Sequence, residues 1–401
     1  MHLHSSYTLS SDSPKNPAIR KSLVMGLWIV FFLLVFDFAV NILFPYPSDP
    51  QATSPGQLNT YFEYGRSVEG KLSRMVGATD ESSSSLAVAG WLDPQLWKKL
   101  DLPVSPEPDQ DLLVAIYGMS FSNYIGDEMK AMDSKLGVRA IAGPAAPPNY
   151  SYAAYKLDRG RHQANVVILG ILASSVKGLR TMNGSTWQFE APAPYSYPRY
   201  VVDNGKLKEI SPKIQSLAQL RAAFQNEKQW DAAVNQLREH DQFFNSFLFE
   251  HNWLDNSAIV RLIRRASAQR HQTAVTNQVH NSTGFNKELD IPVLSAIAQE
   301  FSATAKADGK LPIVLIINDR GYDDHLFQAL KPTLESNSIP YVSTHNIAPA
   351  TDLKNFIGDG HFVQSANKLI AKSVLELINT NLERSERAVS VPSEAAKPKK
   401  S

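Results

Sequence analysis

The chain has 401 residues, 43% of them hydrophobic and 20% charged. That composition excludes overall disorder and leaves room for one large domain with appendages. Lys and Arg number 40 against 39 Asp and Glu, and the largest local basic group is Lys397, Lys399 and Lys400 in the tail. No global field therefore points to nucleic acid. There is no cysteine, which excludes disulfides, thiolate nucleophiles and cysteine-based metal sites.

In chain order, residues 1–22 carry Lys15, Arg20 and Lys21 ahead of an apolar run, Leu23 to Phe44, interrupted only by Asp37 and Asn41. A bilayer core needs about 20 helical residues, so 23–44 is predicted to be a transmembrane anchor. It is longer than the apolar region of a cleaved signal peptide and runs into Phe44-Pro45-Tyr46-Pro47 without a small-residue cleavage site. Asp49 follows the span, and the next basic residue is Arg66. The positive-inside rule then places the N-terminus in the cytoplasm. The rest belongs on the periplasmic or extracellular side of the cytoplasmic (inner) membrane. Two readings of Asp37 stay open: an acid near the outer end that reaches water, or a contact with a membrane partner.

Residues 45–110 are read as a linker, rich in Pro and Ser to about residue 60, followed by a stalk or an accessory edge of the domain. From Asp111 to about 380 the pattern is α/β. Short apolar runs at 112–118, 138–143, 165–171, 312–319 and 340–344 have the character of buried parallel strands. Helical patterns lie between them, at Asn123 to Leu136 and around Val293, Ile297 and Phe301. A last helix carries Ala366, Leu369, Ile370, Val374, Leu377 and Ile378 at 3.6-residue spacing. Alternation of this kind predicts a three-layer α/β fold, a parallel sheet covered on both faces. One block, about 212–273, is helical throughout and is predicted to be an insertion over the carboxyl edge of the sheet. A lid, a partner surface and a structural cap all fit it. The polar tail, 381–401, is expected to be disordered.

Sites in open α/β sheets form outside the carboxyl ends of the strands. Three features fall there. Gly118-Met119-Ser120 ends the first strand and opens a helix, where backbone N–H groups and the positive dipole end favour an oxyanion. A plain helix N-cap is the competing reading of Ser120. Gly143, after the second strand, leaves its N–H free to approach a substrate oxygen, or is simply a turn glycine. Asp359-Gly360-His361 precedes the last helix and offers a base with an orienting acid, although Asp-Gly alone is a turn signal. His240, His251, His325 and His345 have default packing or solvated roles, with the last two at the correct edge for substrate. Arg264 and Arg265 are read as a solvated pair or as a contact for an anionic glycan.

Taken together, the three features resemble the SGNH (GDSL-type) hydrolase superfamily over Asp111 to about Thr380. Gly118-Met119-Ser120 stands at the Gly-Asp-Ser block, Gly143 at the second-block glycine, and Asp359 with His361 at the terminal block. Pro192 to Tyr200 and Asn204 to Leu207 also look like a segment of membrane-anchored members linked to surface polysaccharides. The resemblance implies a sheet in flavodoxin-like strand order and a Ser120–His361–Asp359 triad, with Gly143 and Ser120 N–H groups holding the oxyanion. It implies no cofactor or metal, and a substrate that is an acylated polysaccharide or small ester. The chain departs from the family at the third block, where Leu172 stands in place of an oxyanion-hole Asn; Asn149, Ser174 and Asn318 are candidate replacements. The alternative is a non-catalytic partner in polysaccharide assembly or export.

Overall fold

The computed structural model describes residues 17–45, 61–78, 85–190 and 193–390. The expected cytoplasmic segment before residue 17, most of the linker (46–60) and the tail end (391–401) lie outside the described residues. Helix α1, Pro17–Leu43, contains one stretch, Ala18–Leu43, long and apolar enough to cross a membrane. α2, Val68–Ala78, follows.

The α/β body alternates as its apolar runs predict. β1 (Leu112–Gly118) leads to α3 (Ser120–Met132), β2 (Leu136–Ala142), α4 (Pro148–Asp158) and β3 (Val166–Leu172). The insertion contributes α5 (Leu217–Phe224), α6 (Glu227–His240) and α7 (Ala258–Val279). Then come α8 (Asp290–Ala307), β4 (Leu311–Ile317), α9 (His325–Ser336), β5 (Tyr341–Ser343) and α10 (Gln364–Ser390). The five strands form one all-parallel sheet in the order β2-β1-β3-β4-β5. α3 and α10 pack together on one face, while α4, α8 and α9 cover the other. Covered faces explain why the strands are continuous apolar runs, with Val166 to Leu169 wholly buried.

Two features depart from expectation. α10 runs on to Ser390, so the start of the predicted disordered tail is helical; Glu383, Arg384, Glu386, Arg387 and Ala388 favour that state. An antiparallel hairpin, Arg199–Asp203 with Lys206–Ile210, turns at Asn204 and Gly205, both at positive φ. Asn-Gly suits that turn because both residues tolerate left-handed backbone. Of the two readings open for the segment after the linker, a stalk or an accessory edge, residues 61–78 and 85–97 pack as an edge of the domain. Val68 and Leu72 of α2 share a core with Val234, Leu248, Phe249 and Ala268 of the insertion. Trp91 and Leu96 pack with Leu217 and Leu220. Of the readings open for the insertion, this shared core gives it a structural cap's packing. Its attachment is at the carboxyl end of β3: the Asp241 carboxylate accepts from Thr181 Oγ1 and Met182 N, each at 2.9 Å.

Behind β1 and β2, Asp158 accepts two hydrogen bonds from Arg139, both at 2.7 Å, and one from Tyr117 Oη. His162 Nε2 meets the same tyrosine oxygen at 2.8 Å, and its Nδ1 accepts the Ala164 N–H. Burial pushes the His162 imidazole down to about 4, outweighing the upward pull of Asp158. A His held neutral in the fold binds fewer protons than in the unfolded chain. Its stabilisation is therefore complete above the unfolded value near 6.5 and drains away as pH falls towards 4, by about 3 kcal/mol in total. Urea unfolding at pH 7 and pH 4.5 is expected to show that loss, with a shallower dependence in His162→Gln. Equal slopes in both proteins would contradict the assignment.

Candidate active site

Ser120 is the first residue of α3. The N-cap is Met119, in extended backbone (φ −128°, ψ −171°), with no side-chain capping bond. The hydroxyl of Ser120 is thus not spent as a cap. It lies 2.7 Å from His361 Nε2 across 241 positions of sequence. The imidazole stacks on Phe121 (centroids 4.8 Å apart, 30° between planes) and meets Tyr124 edge-on at 5.3 Å. Residues of α3's own first turns therefore fix the ring over the serine beside them.

His361 follows a tight turn in which Gly360 N–H donates to Ile357 O, and Gly360 has φ +99°, a backbone favouring glycine. Asp359 Oδ1 accepts the backbone N–H of His361 at 3.0 Å. The same oxygen is 3.1 Å from His361 Nδ1 but off the ring N–H direction, so that nitrogen makes no aligned hydrogen bond. The backbone N–H of His361 is the main cause that holds the Asp359 carboxyl below its usual range, with the ring second. Asp359 is mostly exposed.

The glycines around Ser120 are set by a second serine. Ser122 Oγ is buried without a hydrogen-bond partner between Gly118 of β1 and Gly170 of β3, where a Cβ at either glycine would overlap it. Gly170→Ala is expected to cost about 1–3 kcal/mol through overpacking. It also displaces the α3 turn that carries Ser120. A thermal melt checks the first effect and serine-directed labelling the second. Ser122→Ala in the same chain is expected to restore both; a Gly170→Ala protein as stable as the parent would sink this account.

Gly143 follows Ala142, the register partner of Gly118, so it sits at the same sheet edge, one strand over from Ser120. The Tyr150 ring occupies its Cβ direction, with Cζ 2.7 Å from where that atom would be. The side chains considered as replacements for the third-block Asn are engaged elsewhere. Asn149, assigned to the oxyanion hole from sequence, is wholly buried on α4, and its amide donates to Pro198 O at 2.8 Å and Thr181 O at 3.4 Å. This corrects that assignment: helix α4 begins at Pro148 and turns the side chain inward. Ser174 donates to Asp319 Oδ2. Asn318 donates to Ala348 O at 3.0 Å, and its Oδ1 accepts from Thr344. Leu172 is buried at the end of β3. What remains for an oxyanion is main chain: the first N–H groups of α3, which have no intrahelical acceptor, and the Gly143 turn.

Charged residues that the sequence pattern did not single out also reach this edge. Arg320 Nη2 lies 3.1 Å from the Cβ direction of Gly360, in the turn between Asp359 and His361. Asp319 precedes it, and burial lowers Lys177, with Asp319 pulling the other way. Their signal was position: Asp319 and Arg320 follow β4 after Asn318.

Other candidates from sequence serve packing. His251 Nδ1 is 2.8 Å from Asp255, His325 pairs with His280 at 2.8 Å, and His345 stacks on Phe327. His240 is 3.5 Å from Glu239. Arg264 and Arg265 form no solvated pair: Arg264 is fully buried against Asp255, and Arg265 pairs with Glu190 at 2.9 Å. No family model, curated protein or solved structure matches the chain.

Proposed function

We propose that the chain is a membrane-anchored serine acyl-transfer enzyme of SGNH type, an esterase or O-acyltransferase, acting outside the cytoplasmic membrane on an acylated polysaccharide or small ester. The observation that carries this reading is the 2.7 Å contact between Ser120 Oγ and His361 Nε2, at the carboxyl edge of a parallel sheet. With Nε2 accepting the hydroxyl proton, the ring's other proton sits on Nδ1, beside Asp359. Ser120 Oγ attacks the ester carbonyl as His361 takes its proton. The oxyanion develops against the N–H groups at the start of α3 and Gly143. His361 then returns the proton to the leaving alcohol, and water or a sugar hydroxyl takes the acyl group from Ser120.

The inner-membrane setting rests on α1 and on the basic residues before it, with the N-terminus cytoplasmic and the domain periplasmic or extracellular. Polysaccharide as substrate rests on the family resemblance alone. Acetyl content of surface glycan separates the two chemistries. Loss of acetyl groups in a Ser120→Ala strain assigns a transferase, a gain assigns an esterase, and no change removes acetylated surface glycan as the substrate. A second reading, a non-catalytic partner in polysaccharide assembly, is favoured by Leu172 at the third block and by the exposed, unaligned Asp359.

A further inference from the structure

The end of α1 has two different sides. Towards the domain, Asp37 accepts from Ser257 Oγ at 2.9 Å and from Ile259 N at 3.0 Å, at the start of α7. Asn41 donates to Asn256 O at 3.2 Å and accepts from Arg261 Nη2 at 2.7 Å. Val40 is buried, and Phe36 and Phe44 pack on Phe62. Asp37, through Oδ1, and Asn41 are thus both tied to the chain's own domain. On the other side Phe38, Ile42 and Leu43 are 60–70% exposed.

These exposed side chains set a level. From Lys21 to Leu43 a helix rises about 33 Å, and a hydrocarbon core is about 30 Å thick. A hydrocarbon core that begins at Lys21 therefore ends near Asn41, with Ile42 and Leu43 at its outer boundary and the Asp37 contact about 6 Å below it. The domain surface adjoining that contact is apolar and aromatic. Trp253, 79% exposed, is in the same short helical turn as Asn256. Ile263, 55% exposed, lies one turn along α7 from Ile259. Tyr61, 44% exposed, sits under the Arg265 guanidinium.

We infer that this face, Trp253, Ile263 and Tyr61 around the start of α7, rests in the outer headgroup layer of the bilayer that α1 crosses. The occupant is a lipid surface. Trp and Tyr favour that layer because their rings are apolar at one end and polar at the other. The inference rests on α1 spanning a membrane, and goes beyond the acyl-transfer reading, with which it shares no residue. The domain is then held on the membrane by two adjoining contacts rather than swinging on a tether.

The absence of cysteine makes the test direct. Single-cysteine variants of the full chain, Val30→Cys (mid-α1), Trp253→Cys, Ile263→Cys and Met132→Cys, carry a fluorophore in phosphatidylcholine–phosphatidylglycerol vesicles containing spin-labelled lipid. Met132 ends α3 at the amino edge of the sheet, opposite the insertion. The expected result is strong quenching at 30 by a deep label, and quenching at 253 and 263 by a shallow label several-fold above that at 132. Quenching at 30 with 253 and 263 no better than 132 overturns the proposal while leaving the anchor. No quenching at 30 removes the anchor and the proposal with it. Label-to-label coupling between copies at 253, without lipid quenching, puts a second chain on the face and also overturns it.

Discussion

Replacing Ser120 with alanine is expected to abolish labelling by a fluorophosphonate and to lower kcat/KM for p-nitrophenyl acetate by about 10⁴-fold or more, with the melting temperature unchanged. The size follows from loss of the covalent step; residual turnover over water comes from binding and the backbone oxyanion donors. The fold survives because Ser120 contributes no cap and only one hydrogen bond, to His361. His361→Ala is expected to cost a similar factor, and the double variant little more, since serine and base act as one unit. Asp359→Ala is expected to cost much less. The acid is exposed, its best-formed bond is to the His361 main chain, and Phe121 and Tyr124 already hold the ring. Wild-type protein that neither turns over the ester nor takes the label would end the catalytic reading.

Sequence reading worked where a residue's neighbours along the chain decide its fate. The apolar runs at 112–118 and 165–171 are strands within one residue of the expected bounds, because a strand covered on both faces must be apolar throughout. Ser120 and His361 were placed together by strand-end position, which topology converts into proximity. It failed where burial depends on distant partners. Arg264 reads as solvent-facing on its own helix, and only Asp255 makes its burial tolerable. Asn149 has the right chemistry for an oxyanion donor, but a helix starting at Pro148 decides its direction. Asp37 reads as a contact for water or for a partner; its Oδ1 instead accepts from a serine and a backbone N–H some 220 positions away. No local pattern encodes that pairing. The Asn204-Gly205 turn was in plain view, but its flanking strands are mostly exposed and lack the apolar alternation that marks a half-buried hairpin.

Asp255→Asn is expected to be the most destabilising single change, at about 3–5 kcal/mol, because it strands a charge in the cap. Asp255 and Arg264 have side chains with 0% exposure and meet at 2.6 Å. The carboxylate also accepts from Ser67 Oγ and lies 2.8 Å from His251 Nδ1. Burial alone would raise its pKa; Ser67, His251 and Arg264 outweigh that and hold it below the ordinary value. A depressed folded pKa gives stability that is present above the unfolded value near 3.9 and is lost as pH falls through the folded one. Asp255→Asn should therefore flatten the acid limb of the stability curve as well as lower it. The loss should concentrate in α2 and α7, since Ser67 adjoins α2, and α7 is capped by Ser257 and Asp37 just beyond the pair. Faster amide exchange there than in β1 or β3 is the expected signature. Arg264→Met with Asp255→Leu removes both charges and is expected to recover most of the stability. If the double variant were no better than Asp255→Asn, the carboxylate's contacts with Ser67 and His251, rather than a stranded guanidinium, would account for the loss.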